Sequence, residues 1–177
     1  MSSRQMQGAN SQVSYFHTYV VKTVTDDEEY EKPLLVAAAR EVYLMQLAKT
    51  GYAGVPEVYS LSGTSITMQR VQGVRLGDYI LAHNTVEVYR SLAGKVKDIS
   101  KRLLHAGVVH RDLTFENILV TNEEYLWVVD FGRARLVLPT EDTGMLHSDE
   151  MLIYFDTLND ILRGQANHGI PQEYSHY

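Results

Sequence analysis

The sequence of 177 residues contains no cysteine, which excludes disulfide bonds, thiolate catalysis and cysteine-based zinc sites. No apolar run approaches the roughly 20 residues of a membrane-spanning helix, so the sequence predicts no membrane contact. The polar first residues lack the apolar core of a signal peptide. Positive charge is scarce as well, and a net charge of −6 argues against direct binding of nucleic acid. These absences favour a cytoplasmic protein.

The rest of the composition, with 45% hydrophobic and 21% charged residues, is that of a globular protein with one domain or two small lobes. β-Branched and aromatic residues predict a hairpin over residues 13–24 and two further strands over 55–61 and 64–71. A run of helix formers over 33–49 predicts a helix with one apolar side. This order of elements indicates an α+β fold.

Gly73 marks a change in composition and predicts a hinge between two lobes. We expect residues 1–73 to form a sheet with one helix, and residues 74–177 to form a mainly helical lobe. Apolar periodicity predicts three helices in this second lobe, over residues 76–83, 86–105 and 149–162. The segment between Gly132 and the last helix is expected to be irregular, because it contains helix breakers such as Gly144.

The most informative stretch is His-Arg-Asp-Leu-Thr-Phe-Glu-Asn over residues 110–117, followed by Asp-Phe-Gly over 130–132. Two short apolar runs joined by a polar turn separate these motifs and predict a hairpin. Such a hairpin holds Asp112 and Asp130 at the same end. Phosphoryl transfer from ATP needs this arrangement, with one carboxylate near the acceptor hydroxyl and one on the metal.

Both motifs fit the catalytic loop and the metal-holding D-F-G of protein kinases, so the chain resembles the protein-kinase-like superfamily over roughly residues 6–162. The resemblance implies a two-lobed fold, with a reduced N-terminal sheet, one helix and a truncated, mainly helical C-terminal lobe. It also implies ATP and Mg²⁺ as cofactors. Lys22, in a strand, would neutralise the α- and β-phosphates, and Glu41, nineteen residues later, would hold that lysine in place.

The resemblance assigns roles to the two motifs as well. Asp112 would orient the acceptor hydroxyl and accept its proton, while Asn117 and Asp130 would hold Mg²⁺. His110 and Phe131 are expected to pack rather than react. Each residue also has a simpler interpretation as a solvated charge or a turn residue, but those interpretations do not account for the motifs occurring together in this order.

The expected nucleotide slot follows from the same resemblance. The adenine ring would lie between hydrophobic side chains, those of Val13, Val20 and Leu119. The hinge would run from Gln69 through Val71 to Gly73, with Met68 guarding the back of the slot.

The phosphate-covering loop is poor in glycine. Of its three usual glycines the chain retains only Gly8, in the second position, and too few residues precede it for a full first strand. Backbone N–H groups after Gly8 are still expected to reach a phosphate.

Other positions depart from the usual kinase pattern. Thr114 replaces the usual catalytic-loop lysine, and no A-P-E follows the D-F-G. Threonine there and the glycine-poor loop are also features of the small kinase of the tRNA-threonylcarbamoylation complex, although Arg111 stands where that family has glycine. Asp149 is a candidate for the buried acid of the central helix in the lower lobe. Arg111 either pairs with a phosphate on the following segment or braces the loop, and the candidate phosphorylation sites are Thr140, Thr143 and Ser148.

The sequence therefore predicts a minimal serine/threonine protein kinase that acts on a protein substrate and is able to phosphorylate itself. One alternative is a pseudokinase-like scaffold that binds and regulates a partner. A small-molecule phosphotransferase is less favoured, because of Arg111 and the short C-terminus. A partner protein is expected to cover the truncated C-terminal lobe in either case. Compactness favours a viral, phage or bacterial-effector kinase acting in a host cytoplasm, or a subunit of a complex.

Overall fold

The computed structural model describes residues 4–7, 11–25, 33–83, 85–121 and 125–167 of the chain. Gly8 and most of the predicted turn between the two motifs lie outside these residues. The strands are β1 (Arg4–Gln7), β2 (Ser11–Tyr15), β3 (Tyr19–Val24), β4 (Val58–Ser62), β5 (Ser65–Gln69), β6 (Val74–Arg75), β7 (Val108–Val109), β8 (Ile118–Val120), β9 (Leu126–Val128) and β10 (Arg135–Leu136). The helices are α1 (Leu34–Gly51), α2 (Leu76–Ala82), α3 (Val86–His105) and α4 (Thr143–Asn167).

The first five strands form one antiparallel sheet in the order β1-β2-β3-β5-β4. The predicted hairpin is its centre, where β2 and β3 pair from Ser11↔Val24 to Tyr15↔Val20. β5 continues the sheet on the other side of β3. In contrast to the expectation of a nearly absent first strand, β1 pairs with β2 along its whole length of four residues. The predicted α+β fold is confirmed.

Helix α1 packs across this sheet, where it contacts β3, β4 and β5. Its buried residues recur at helical spacing, but the buried face only partly coincides with the apolar side expected from the sequence, since Leu35 is 56% exposed. They are Ala37, Ala38, Glu41, Leu44, Met45 and Ala48. Only Glu41 among them is charged, so the stripe that fills the core also carries one carboxylate into it.

The second half of the chain is mainly helical, and it contains two small sheets, β6-β8-β9 and β7-β10. Helix α3 has the predicted bounds and is capped by Thr85, whose hydroxyl accepts a hydrogen bond from the Val88 N–H at 3.3 Å. In the described part of the chain, no helix has both the length and the apolar character needed to cross a membrane.

Helix α4 begins at Thr143, six residues before the predicted start at Asp149. The Asp142 carboxylate accepts hydrogen bonds from the backbone N–H groups of Gly144 at 2.7 Å and Met145 at 3.4 Å. This side chain caps the first turn, which stabilises a helix by about 1 kcal/mol and offsets the similar cost of a helical glycine. The predicted start was wrong because Gly144 was interpreted only as a helix breaker.

Direct hydrogen bonds hold the hairpin of β8 and β9 against the end of α1. The Tyr52 hydroxyl donates to the carbonyl of Leu126 at 2.5 Å, and the Val128 N–H donates to the carbonyl of Gly54 at 2.8 Å. A β-carbon on Gly54 would lie 2.5 Å from the same Leu126 carbonyl, so only glycine permits this approach. The hairpin that carries both motifs is therefore fixed relative to α1.

We expect opposite effects from two glycine-to-alanine substitutions in helices. A β-carbon at Gly51 would lie 2.6 Å from a backbone carbonyl of α3, so Gly51→Ala should lower the free energy of unfolding by about 1–3 kcal/mol. A β-carbon at Gly94 meets no atom within 4 Å, and Gly94→Ala should raise that free energy by about 0.5–1 kcal/mol. Urea denaturation measures both values. Equal stability of the two variants would contradict the packing of α1 on α3.

Candidate active site

Three charged side chains meet between β3, α1 and the segment after β9. The Lys22 ammonium donates to Glu41 Oε1 at 2.8 Å and to Asp130 Oδ1 at 2.6 Å. Lys22 is 7% exposed and Glu41 is 2% exposed, whereas half of the Asp130 side chain is exposed. Three residues that the sequence analysis grouped from distant positions are thus in direct contact.

The charges of this group influence one another. Burial disfavours the ammonium of Lys22, but Glu41 and Asp130 outweigh burial and raise its pKa. Burial also disfavours the carboxylate of Asp130, but Lys22 and the N–H of Gly132, at 3.2 Å, lower its pKa. Lys22 and Asp130 are therefore both charged at neutral pH. Two carboxylates share one ammonium, which favours an additional cation at this place.

The sheet places part of the predicted nucleotide slot beside Lys22. Side chains alternate between the two faces of a strand, so Val20 lies on the same face of β3 as Lys22. Val13 is the register partner of Lys22, and Met68 is the register partner of Val20. Directly opposed residues share a face, so Val13, Val20, Lys22 and Met68 lie together on one side of the sheet.

The predicted hinge lies next to Leu119. A β-carbon on Gly73 would be 2.8 Å from the carbonyl of Val120 and 3.4 Å from Cβ of Leu119. Leu119 is half-buried, between two buried neighbours in β8. At the other end of the hinge, the Gln69 N–H donates to the carbonyl of Glu57 at 2.7 Å. The backbone N–H of Gln69 is therefore already used, and only other atoms of Gln69 could contact the adenine base.

The hairpin of β8 and β9 brings the two motifs together as predicted. Ile118 pairs with Val128, and the Val129 N–H donates to the carbonyl of Asn117 at 2.9 Å, which places Asn117 near Asp130. Asn117 Nδ2 also donates to Asp112 Oδ2 at 3.0 Å and to the Asp112 carbonyl at 2.9 Å. The amide thus fixes the orientation of the Asp112 carboxylate.

The oxygen atoms at this end of the hairpin fit Mg²⁺. The hydrogen bonds of Asp130 and Asn117 described above use Oδ1 of Asp130 and Nδ2 of Asn117. Oδ2 of Asp130 and Oδ1 of Asn117 therefore accept no hydrogen bond from the described residues. Mg²⁺ prefers oxygen ligands and is usually held by one or two side chains together with substrate phosphates. No group of three or more histidine, aspartate or glutamate ligands occurs in the described part of the chain.

Packing of the D-F-G segment agrees with the prediction for His110 and Phe131. Their rings meet edge to face with centroids 4.7 Å apart, and both are fully buried. Burial lowers the pKa of His110, so the ring stays neutral, and its Nε2 lies 3.2 Å from the Val129 carbonyl.

The sequence analysis missed Arg40, whose guanidinium donates to the carbonyl of Gly132 at 2.7 Å.

The buried acid of the lower lobe is Glu150, and the expectation of Asp149 was wrong. Glu150 is 1% exposed, and its Oε1 accepts hydrogen bonds from the N–H groups of His110 at 2.6 Å and Arg111 at 3.2 Å. Its Oε2 accepts from the Ser100 hydroxyl at 2.7 Å. Asp149 is exposed.

Sequence periodicity could have distinguished these two acids. Glu150 shares its helix face with the buried residues Tyr154 and Leu158, at a spacing of four residues. An acidic residue inside an apolar stripe indicates a buried carboxylate with polar partners, since an unpaired buried charge is very costly.

Two residues of the motifs have left-handed backbone conformations, Arg111 with φ 65° and Asp130 with φ 61°. Such conformations cost of order 1 kcal/mol or more for residues other than glycine. The bond from Arg111 to Glu150 and the ion pair of Asp130 hold them in place. Whether Arg111 pairs with a phosphate stays a prediction, as do the phosphorylation sites.

Comparison with known proteins identifies the family of the chain. Residues 19–157 match the ABC1 atypical kinase-like domain. The chain is 25% identical over 156 residues to a probable serine/threonine-protein kinase BUD32 homolog of Archaeoglobus fulgidus, covering 85% of this chain and 73% of that protein. It is 28% identical over 124 residues to a probable bifunctional tRNA threonylcarbamoyladenosine biosynthesis protein of Methanosarcina acetivorans, covering 70% of this chain and 20% of that protein. The chain spans only 16% and 30% of the first two curated relatives that it matches.

A solved structure has the same fold. The Rio2 kinase of Chaetomium thermophilum, crystallised with ADP, Mg²⁺ and phosphoaspartate, superposes with a TM-score of 0.64 at 16% identity. The match covers 97% of this chain and 58% of that one. The predicted membership of the protein-kinase-like superfamily and the kinase-like fold are both confirmed.

The ion pair of Lys22 and Asp130 predicts a particular pH dependence of stability. The pKa of Asp130 is lower in the folded chain than in the unfolded chain, where it is about 4. The ion pair therefore contributes to the free energy of unfolding above the unfolded pKa, and this contribution is lost as pH falls through the folded pKa. The stability difference between wild type and Asp130→Asn should therefore be larger at about pH 6 than at about pH 3. Denaturant titrations at both pH values measure it. An equal stability difference at the two pH values would contradict a lowered pKa of Asp130.

The buried acid predicts unequal effects of two neighbouring substitutions. Glu150→Gln replaces one acceptor oxygen by a donor group and should lower the free energy of unfolding by about 1–3 kcal/mol. Asp149→Asn makes the matching change at an exposed position and should change it by no more than about 0.5 kcal/mol. Thermal or urea unfolding of both variants provides the comparison, and similar losses in both would argue against Glu150 as the anchor of the catalytic loop.

Proposed function

Because the chain belongs to the ABC1 atypical kinase-like family, we propose that it is an ATP- and Mg²⁺-dependent protein kinase acting on serine or threonine hydroxyls, including its own. The observation that carries this proposal is the contact of Lys22 with both Glu41 and Asp130. Buried ion pairs contribute little net stability compared with apolar residues of similar size. A buried lysine held by two carboxylates is therefore better explained by function than by stability.

In the proposed reaction an acceptor hydroxyl attacks the γ-phosphorus of ATP. The new O–P bond forms as the bond from the γ-phosphorus to the bridging oxygen breaks, and ADP leaves. Asp112 accepts the hydroxyl proton, and its hydrogen bond from Asn117 keeps the carboxylate in position.

Lys22 would exchange one partner when nucleotide binds. Its ammonium keeps Glu41 and turns from Asp130 towards the α- and β-phosphates. Asp130 and Asn117 would then hold Mg²⁺ through their oxygen atoms, and the ion would supply positive charge for the phosphates. The 2.6 Å contact of Lys22 with Asp130 is in this account the nucleotide-free arrangement.

The adenine ring would occupy the slot beside this group. Val13 and Val20 cover it from the sheet, Leu119 supports it from the hairpin, and Met68 closes its back. The Gln69 N–H already has a backbone partner, whereas Val71 forms no hydrogen bond with the described residues. We therefore assign the hydrogen bonds to the adenine edge to the backbone of Val71.

A partner protein would cover part of the lower lobe. Large apolar side chains there are exposed, as expected for a truncated lobe. They include Leu138 (55%), Met145 (67%), Leu152 (60%) and Phe155 (44%). One relative carries its matching segment within a longer bifunctional protein, which agrees with a kinase-like unit that works beside another one.

The second candidate is a binding module without phosphoryl transfer. Thr114 favours it, because the lysine that usually occupies this position contributes a positive charge near the γ-phosphate. Such a module would bind nucleotide at the same site and regulate its partner by the change in its conformation.

Incubation of the purified chain with labelled Mg-ATP and a generic protein substrate tests the kinase proposal. Wild type should label itself or the substrate, Asp130→Ala should abolish labelling, and Asp112→Asn should reduce it about 10²–10⁴-fold, the usual contribution of a positioned general base. Asp112→Asn should keep the thermal stabilisation by nucleotide, because Asp112 acts on the acceptor.

Asp149→Asn is the control, since it neutralises an exposed carboxylate outside the site. No label above the Asp130→Ala background would rule out the kinase. Stabilisation by nucleotide without labelling would instead support the binding module.

A further inference from the structure

A cavity lies in the lower lobe, outside the site described above. It has a volume of about 400 Å³ and opens between the end of α3 and the start of α4. Its lining consists of Lys101, Leu104, His105, Thr143, Gly144 and His147. Three of these six residues are basic and none is acidic, in a chain whose net charge is −6. The lining of the cavity is thus basic, although the chain as a whole is acidic.

The basic side chains continue as a row along α3. Lys97, Lys101 and His105 follow one another at intervals of four residues, which places them on one face of the helix. The like charges of Lys97 and Lys101 repel one another at this spacing. Within the described residues none of the three has an acidic partner, whereas Arg102 is paired with Asp98 at 2.6 Å. The row therefore lacks a balancing anion.

His147 provides a second, independent observation. Its Nδ1 lies 2.9 Å from Ser100 Oγ, and the same hydroxyl donates to Glu150 at 2.7 Å. Since a carboxylate can only accept, the single proton of Ser100 goes to Glu150, and Nδ1 of His147 must be the donor to Ser100. Nε2 of His147 is buried and has no hydrogen-bond partner among the described residues. Nε2 of the neutral ring is thus an acceptor, and it donates to a ligand oxygen only when the ring is protonated.

We propose that this cavity binds a phosphate-bearing anion, held by Lys101, His105 and His147 with the Thr143 hydroxyl at its rim. The Lys101 ammonium supplies positive charge and the two histidine rings supply further donors when they are protonated, a combination that suits a phosphate better than a single carboxylate. The positive end of the α4 dipole lies at the same place. Asp142 already accepts from the first N–H groups of α4, so the side chains rather than the helix end bind the anion. The volume accommodates a phosphate with an attached organic group.

The cavity is connected to the catalytic loop. From His147 the hydrogen bonds run through Ser100 to Glu150, which in turn accepts from the backbone N–H groups of His110 and Arg111. An anion that binds His147 favours its protonated form, in which Nε2 also donates. The charged groups that act on His147 are Lys97 and Lys101 from α3 and Glu150 from its own helix; burial and the two lysines lower its pKa, and Glu150 opposes them. Binding of an anion in the cavity would thus change the hydrogen bonds that hold the loop carrying Asp112.

Titration of inorganic phosphate into the full chain, followed by NMR of the histidine side chains, tests the proposal. Saturating phosphate should raise the pKa of His147 and shift the amide signals of Arg111. Lys101→Gln should weaken phosphate binding roughly tenfold. Lys95→Gln removes the same charge from a different face of α3 and should leave the affinity unchanged. Chloride at equal ionic strength should not reproduce the effect.

An unchanged pKa of His147 in up to about 50 mM phosphate at constant ionic strength would overturn the proposal. Equal phosphate affinity of wild type and Lys101→Gln would overturn it as well. No shift at Arg111 despite binding would overturn the connection to the catalytic loop. These readings measure binding alone, so they are independent of the labelling experiment.

The phosphate group has two possible sources, a free ligand or Thr143 of the chain itself. Thr143→Glu distinguishes them, because it places a carboxylate at the rim of the cavity. A raised pKa of His147 without added phosphate, together with lost phosphate binding, would show that a negative group on residue 143 occupies the cavity and would favour residue 143 as the source. An unchanged pKa together with intact phosphate binding would identify a free ligand.

Discussion

The structure depends on one buried ammonium that three separate segments share. Lys22 connects strand β3 to helix α1 through Glu41 and to the segment after β9 through Asp130. Burial of a lysine is very costly unless its partners are in place. Glu41 is positioned by the apolar stripe of α1, and Asp130 is positioned by the hairpin and by Gly132. The packing of the sheet, the helix and the hairpin therefore determines the charge arrangement of the site.

A second buried group positions the catalytic loop from below. Glu150 accepts hydrogen bonds from the loop backbone on one oxygen and from Ser100 on the other, so the loop is fixed to both α3 and α4. This support allows Arg111 to keep its left-handed conformation. The two halves of the site thus rest on different buried carboxylates, Glu41 and Glu150, within one continuous core.

The residues of the site could largely be predicted from the sequence, because the motifs over 110–117 and 130–132 require a short hairpin between them and Lys22 lies in a recognisable strand. The helices α1 and α3 followed from apolar periodicity. The start of α4 did not, since the capping by Asp142 outweighs the presence of Gly144. Ser100 and Arg40 were missed because the partners named above are 47 to 92 residues away in sequence, and no local pattern encodes such contacts. Glu150 was missed although its spacing with Tyr154 and Leu158 indicates a buried face. Gly8 lies outside the described residues, so the role of its loop stays a prediction.

The most direct test of the account is a crystal structure of the chain with Mg²⁺ and a non-hydrolysable ATP analogue. The account predicts that Lys22 keeps Glu41 and contacts the phosphates, while oxygen atoms of Asp130 and Asn117 lie about 2.0–2.1 Å from the metal. It also predicts Asp112 facing the γ-phosphate. A nucleotide bound elsewhere, or an unbroken contact of Lys22 with Asp130 beside a bound nucleotide, would contradict it.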